Sequence, residues 1–198
     1  MEMQILSHDA VEQVEKDPEH ISIGYFSGSK THDQDFEVAE EAILEVMKEH
    51  PEVRLKLVGV LSDRKMEKFG NKVEKLPFMD WKQLPSVMAG IDINLMPLED
   101  SIFHCSKSEN KWMEAALVKV PSVMSRNREM EGVIANGVDG WICSDKEEWK
   151  KALTTLIEEK TARVQMGEKA HKKVMCQYVT QNTGKDAREE LLCSEKYS

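Results

Sequence analysis

Residues 26–36 read FSGSKTHDQDF, a glycine, two serines and a lysine leading into an acidic start of a helical pattern. Ser27, Gly28 and Ser29 offer backbone N–H donors with little side-chain obstruction, and Lys30 adds a mobile positive charge. The helix that follows contributes its unsatisfied N–H groups and the positive end of its dipole. Such a loop suits an anion, for instance the diphosphate of a nucleotide. It matches neither GxGxxG nor the GxxxxGK phosphate loop. The other reading is a glycine-assisted turn with Asp33 or Asp35 capping the helix. The Asp-x-Asp spacing can also hold a divalent cation, yet acids are common in a first helical turn, and no metal site is expected. His32 is read as an exposed loop histidine.

Residues 104–125 read HCSKSENKWMEAALVKVPSVMS, a second helix that opens on Ser106, Lys107 and Ser108. Its N-terminus can receive phosphate oxygens. Lys107, Lys111 and Glu114 follow at i, i+4 and i+7 and share one face. At 1.5 Å per residue, Glu114 lies roughly 10 Å beyond Lys107. A carboxylate that far from an anion site fits a nucleotide's ribose, whose two hydroxyls can donate to it. A solvated face with an ordinary intrahelical ion pair is the other reading. His104 and Cys105 suggest a metal or a nucleophile, but no third ligand or base stands at a legible spacing.

Two further loops carry candidates. Phe78 or Met79, after the run VEKLPF, can wall a nucleotide base or pack in the core. Arg126 and Arg128 can face a negative ligand or stay solvated.

The elements that must position these residues alternate along the chain. Apolar runs suited to strands occupy residues 21–26, 53–60, 73–78, 91–97, 121–125 and 140–144. Helical patterns fill 35–50, 62–70, 80–89, 108–119, 128–136, 145–159 and 161–179. In the strongest, Phe36, Ala39, Ile43, Val46 and Met47 draw one apolar stripe. Pro85 is placed in a first helical turn and Gly90 at that helix's end. Strand and helix in strict alternation predict an α/β fold, a doubly wound, mostly parallel six-stranded sheet with helices on both faces. Ligands of such sheets bind at the carboxyl ends of the strands. The expected division is a polar lead-in over 1–20, one domain over 21–180 and a polar tail over 181–198.

Composition narrows the class. With 198 residues, 40% of them apolar and 32% charged, the chain suits one well-cored domain. A net charge of −9 without a basic stripe argues against nucleic acid. No apolar run approaches the roughly 18 residues of a membrane span, and no signal-peptide pattern leads the chain, so a cytoplasmic protein is expected. Cys105, Cys143, Cys176 and Cys193 are widely spread, which predicts no disulfide framework.

The order of these features resembles the C-terminal, nucleotide-sugar-binding domain of GT-B-type retaining glycosyltransferases of the large group 1, or family 4, type. GYFSGSK stands where that family often has Gly-Arg-Leu-x-x-x-Lys, and VRLKLVG resembles its second strand. LPFMDWKQLPSVMAGIDINLMPLE is similar to its succession of sheet, short helix and strand. WMEAALVKVPSVMS resembles its glutamate-bearing helix, and NGVDGWI with two closing helices agrees as well. The resemblance covers about 20–175, and the order and spacing of the motifs carry it.

It implies a Rossmann-like half of a GT-B fold and a nucleoside diphosphate sugar as donor substrate, with no cofactor or metal. Lys30 would contact the donor diphosphate, with Gly28 and Ser29 in the diphosphate loop. Ser106, Lys107 and Ser108 would lie near the phosphates or the sugar, Glu114 on the ribose, and Phe78 beside the base. The implied reaction transfers the sugar to an acceptor hydroxyl with retention, as in polysaccharide biosynthesis. Lys30 and Lys107 would stabilise charge building on the leaving diphosphate. No hydrolase-like carboxylate pair is visible.

The departures are specific. Tyr25 replaces the family's arginine, Ser106 falls on the upstream glutamate of its usual pair, Lys119 stands where glycine is common, and Gly132 replaces a frequently acidic position. The resembled enzymes take their acceptor site from an N-terminal domain, and only some 20 polar residues precede the first strand here. The expectation is therefore a fragment needing that domain or a partner subunit, because the helix keeps its polar face. A non-catalytic nucleotide-sugar or phosphate-binding module is the alternative. A dehydrogenase-like domain lacks its glycine fingerprint, and a purely structural domain would bind no ligand.

Overall fold

The computed structural model describes residues 2–28, 33–61, 65–99 and 109–178. Each of the six apolar runs carries a strand: β1 (Ile21–Ser27), β2 (Val53–Gly59), β3 (Val73–Leu76), β4 (Ile93–Met96), β5 (Ser122–Ser125) and β6 (Trp141–Cys143). All pair in parallel, in the order β3-β2-β1-β4-β5-β6. The doubly wound sheet expected from the sequence is the one observed. Every residue of β4 and β5 is buried, as expected of strands covered on both faces. The edge strand β3 instead exposes Glu74 and Lys75, charges that discourage pairing with another chain.

The helices are α1 (Glu2–Gln13), α2 (Asp33–Glu49), α3 (Leu84–Ala89), α4 (Asn110–Leu117), α5 (Arg128–Val133), α6 (Lys146–Glu158) and α7 (Lys160–Gln177). A 3₁₀ segment, Lys65–Lys72, overlaps the helical pattern expected over 62–70. On one face of the sheet, Ile23, Tyr25, Leu55 and Leu95 meet the stripe of α2 and Trp149, Leu153 and Leu156 of α6. On the other, Phe26 and Val58 meet α3 and α4. Met96, Met124 and Ile142 pack with Trp112, Met130 and Ala170. Each large side chain fully buried this way contributes about 1.5–3 kcal/mol.

Local signals fix the helix ends. Pro85 lies in the first turn of α3 and Gly90 is its C-cap, as the sequence predicts. Asn127 caps α5 by accepting the Met130 N–H at 2.7 Å. Asp145 caps α6 by accepting from Glu148, whose carboxylate accepts the Ser144 N–H at 2.7 Å. This is close to a reciprocal capping box.

Two expectations give way. The polar lead-in forms helix α1, because Ala10 is covered by Met88, Ala89, Ala115 and Val118 from α3 and α4. Lys16 then fastens the exit of that segment, donating to the Ile91 carbonyl at 2.6 Å. Cys176 on α7 is disulfide-bonded, where the spread of cysteines predicted no bridge. Among the described residues, no helix is long and apolar enough to cross a membrane.

Candidate functional site

The strand order reverses between β1 and β4, a switch point of the kind at whose carboxyl end ligands of open sheets bind. Four hydrogen bonds fasten its rim. Ser27 Oγ donates to the Val60 carbonyl at 2.8 Å, joining the ends of β1 and β2. Gly59 makes that approach possible: its φ is +101°, and a Cβ there would stand 1.9 Å from the Ser27 carbonyl oxygen. The Leu98 N–H donates to Ser125 Oγ at 2.8 Å, joining the ends of β4 and β5. The Glu99 N–H donates to the buried Asp35 carboxylate at 3.0 Å, which draws the loop after β4 onto the first turn of α2. Finally, Lys111 Nζ donates to the Phe26 carbonyl at 3.0 Å and ties α4 to the end of β1.

Helix α4 is built to lie close to the sheet. Trp112, Ala115 and Ala116 are fully buried, and the Trp112 indole N–H donates to the Asp139 carbonyl at 3.0 Å. Asp139 in turn accepts from Ala135 and is paired with Lys173 at 2.8 Å. The helix closes in a Schellman motif: Val120 N–H donates to Ala115 O at 2.9 Å and Lys119 N–H to Ala116 O at 3.0 Å. Lys119 takes a φ of +59° in this motif. Glycine adopts this left-handed backbone without a steric penalty, and here a lysine bears the strain. Gly167 of α7 packs on the same turn, where a Cβ would meet the Lys119 carbonyl oxygen at 2.1 Å.

This anchoring leaves Glu114 half-buried. Burial raises its carboxyl above the ordinary glutamate range, and the opposing pull of the Lys111 charge is the smaller effect. A carboxylate in this setting gains from a ligand that donates hydrogen bonds to it.

The structure brings two candidates to one end of β1. Gly28 is the exposed residue just past that strand, and Glu114 lies one turn beyond Lys111 on the helix bonded to Phe26. Phe78 stands past the end of β3, two strands away, and is 66% exposed, whereas Met79 is partly buried against the core. Arg126 donates to Ser144 Oγ at 2.6 Å and is ion-paired with Glu131, so local groups hold its charge. Ser29, Lys30, Ser106, Lys107 and Ser108 lie outside the described residues, as do His32, His104 and Cys105. The bridges made by Lys111 and Asp35 were not foreseen. Their types and helix positions were visible in the sequence, but their partners were not.

Comparison with known proteins gives the same direction. The family model described as "Glycosyl transferases group 1" matches residues 21–159. No curated protein matches the chain. Among solved structures, the C-terminal domain of the glycosyl transferase group 1 family protein LpcC from Francisella tularensis is similar with a TM-score of 0.67 at 16% identity. That match covers 90% of this chain and 94% of the other. Anabaena HepE, in complex with UDP-glucose, gives 0.64 at 16% identity over 99% of this chain and 52% of its own. Sucrose-phosphate synthase from Thermosynechococcus elongatus gives 0.64 at 14% identity over 96% of this chain and 48% of its own. The chain thus spans about half the length of these two larger proteins. It belongs to the group 1 glycosyl transferases and is folded as the nucleotide-sugar-binding half of their GT-B architecture.

Proposed function

We propose that this chain binds a nucleoside diphosphate sugar and serves as the donor half of a retaining glycosyltransferase, residues 21–180 forming the donor domain. One observation carries the reading: at the switch point of the sheet, the end of β1, which Gly28 follows, and the helix that bears Glu114 are bonded together through Lys111 and Phe26. Gly28, Ser29 and Lys30 receive the diphosphate from the first loop. Ser106, Lys107 and Ser108 meet the phosphates or the sugar from the α4 side, Glu114 accepts the ribose hydroxyls, and Phe78 flanks the base. The solved complexes of Anabaena HepE with UDP and glucose and with UDP-glucose support this donor class.

In the reaction, the bond between the anomeric carbon and the diphosphate oxygen breaks while the acceptor hydroxyl oxygen forms the new one, its proton leaving with the diphosphate. Lys30 and Lys107 act on charge that grows on the departing diphosphate, an interaction stronger in the transition state than in the ground state. Glu114 orients the nucleotide and moves no proton. The acceptor site comes from a second domain or a partner subunit, and a cytoplasmic setting with a polysaccharide acceptor fits this scheme.

Calorimetric titration of the chain with nucleoside diphosphates and nucleotide sugars tests the reading. Saturable binding weakened by both Lys30→Ala and Glu114→Ala supports it, and saturable binding indifferent to both substitutions removes it. A second reading, a nucleotide-sugar-binding module without turnover, is favoured by Ser106, which stands at the place of the family's upstream glutamate. Supplying the acceptor half separates the two. Transfer with the donor's anomeric configuration kept, followed by nuclear magnetic resonance, is expected only of the enzyme.

A further inference from the structure

At the amino end of the sheet, opposite Gly28 and Glu114, lies a cavity of about 520 Å³. It opens beside Ile21, Asp92 and Pro121, at the starts of the neighbouring strands β1, β4 and β5. Its size is usual for a small-molecule site. Lys16, Lys119, Lys160 and Arg163 line it, in a chain whose net charge is −9. Arg163 is 7% exposed, and its Nη1 donates to the Leu156 and Ile157 carbonyls at 2.6 and 3.1 Å, which fixes the guanidinium on the cavity wall. Asp92 accepts the Ser22 N–H at 2.9 Å and faces both Lys16, at 3.7 Å, and Arg163, at 3.8 Å. One carboxylate thus answers two cations. Burial holds the Lys16 ammonium below the ordinary lysine range, against the pull of Asp92, and the Arg163 charge lowers it further. Of the other two carboxylates on the cavity, Asp17 is taken by His20 at 2.6 Å. That leaves Glu168 against Lys119 and Lys160, neither of which makes an ion pair or a side-chain hydrogen bond among the described residues.

We propose that this cavity is an anion site, separate from the donor site, that takes a phosphate dianion, free or as a monoester, between Arg163 and the ammonium groups of Lys16, Lys119 and Lys160. Capping of α6 and pairing with Asp92 account for Arg163, but they give no reason for two more lysines on the same wall. The backbone of Lys119 points the same way. Glycine would take its φ of +59° without strain, yet the chain keeps a lysine there with its charge on this cavity. Strain retained at one position is a pointer to function, and the charge is what this residue adds. A dianion supplies the negative charge the cavity lacks and accepts charge-assisted hydrogen bonds from the fixed guanidinium and the mobile lysines. Among the described residues, no tryptophan, tyrosine or phenylalanine lines the cavity, so the phosphate group and not a stacked base carries recognition.

The test titrates the whole chain with inorganic phosphate and with phenyl phosphate, by calorimetry at an ionic strength held constant with sodium chloride. Wild type should bind at least one of them saturably. The tighter of the two tells a free ion from an organic phosphate, whose body would rest on Ile157 and Val164 of the cavity wall. Lys160→Met and Lys119→Gly keep the fold, since Lys160 is exposed and glycine relieves the turn at 119. Each should weaken binding about threefold or more, and the double variant about tenfold or more, as for lost hydrogen bonds to a charged group. In wild type, the amide resonances of Ser22, Asp92 and Arg163 should shift as phosphate is added, while those of Ser27 and Glu114 stay in place. The assignment falls if neither phosphate binds saturably, if the double variant binds as wild type does, or if the shifts gather at Ser27 and Glu114.

Discussion

The Asp35 carboxylate, fully buried in the first turn of α2, accepts the backbone N–H of Glu99 at 3.0 Å. Two segments 64 residues apart are thereby held side by side at the carboxyl end of the sheet. Removing the acceptor leaves a half-buried N–H without this partner, so Asp35→Ala should cost about 1 kcal/mol in denaturant unfolding. Asp35→Asn keeps an acceptor and should cost less. An alanine variant as stable as wild type would show that this bond does not hold the rim.

Lys119 and Gly167 form a second pair with opposite expectations. Lys119→Gly relieves a φ of +59° and should raise stability by about 0.5–1 kcal/mol, read as a shift in the denaturation midpoint. Gly167→Ala puts a methyl against the Lys119 carbonyl oxygen and should cost about 1–3 kcal/mol or more. Equal stability of wild type and Gly167→Ala would contradict the close packing of α7 on this turn.

Cys143 is free and buried, and burial, with Glu148 and Asp145 adding repulsion, pushes its thiol up to about 12. In the native chain it should resist alkylation by iodoacetamide at pH 8 and react once denaturant is added. Mass spectrometry of the peptide that contains it decides the matter. Native alkylation at the rate of a free thiol would refute the packing described for β6.

The strands were readable from the sequence because a sheet covered on both faces turns them into continuous apolar runs, as in INLM of β4 and SVMS of β5. Helix α1 was not readable. Its buried residues are only Ser7 and Ala10, and the surfaces that cover Ala10 come from distant segments. Gly28 and Glu114 could be named as candidates by type and position. Lys111 was legible only as a residue on the face of Glu114, where an ordinary intrahelical pair explains it equally well. Its partner, Phe26, is 85 residues away, and no local pattern encodes that contact. Lys119 stood out only through the family resemblance, and its left-handed backbone is revealed by the fold alone.

Glu114 should make site and stability disagree. Its folded-state carboxyl is raised above the ordinary 4.5, chiefly by desolvation. In the window between 4.5 and that raised value, the native chain binds more protons than the unfolded chain. Its contribution to stability therefore falls as pH rises through this window and stays lost above it. Glu114→Gln should abolish that part of the pH dependence and be at least as stable as wild type at pH 7, while binding a nucleoside diphosphate more weakly. A variant less stable at pH 7 with unchanged pH dependence would contradict the burial argument.

The most direct measurement is a crystal structure of the chain with a nucleoside diphosphate at saturating concentration. The diphosphate is expected between the loop that starts at Gly28 and the N-terminal side of α4, with the ribose hydroxyls donating to Glu114. A nucleotide seated at the amino ends of the strands, or one at their carboxyl ends that leaves Glu114 and the first loop untouched, would contradict this placement.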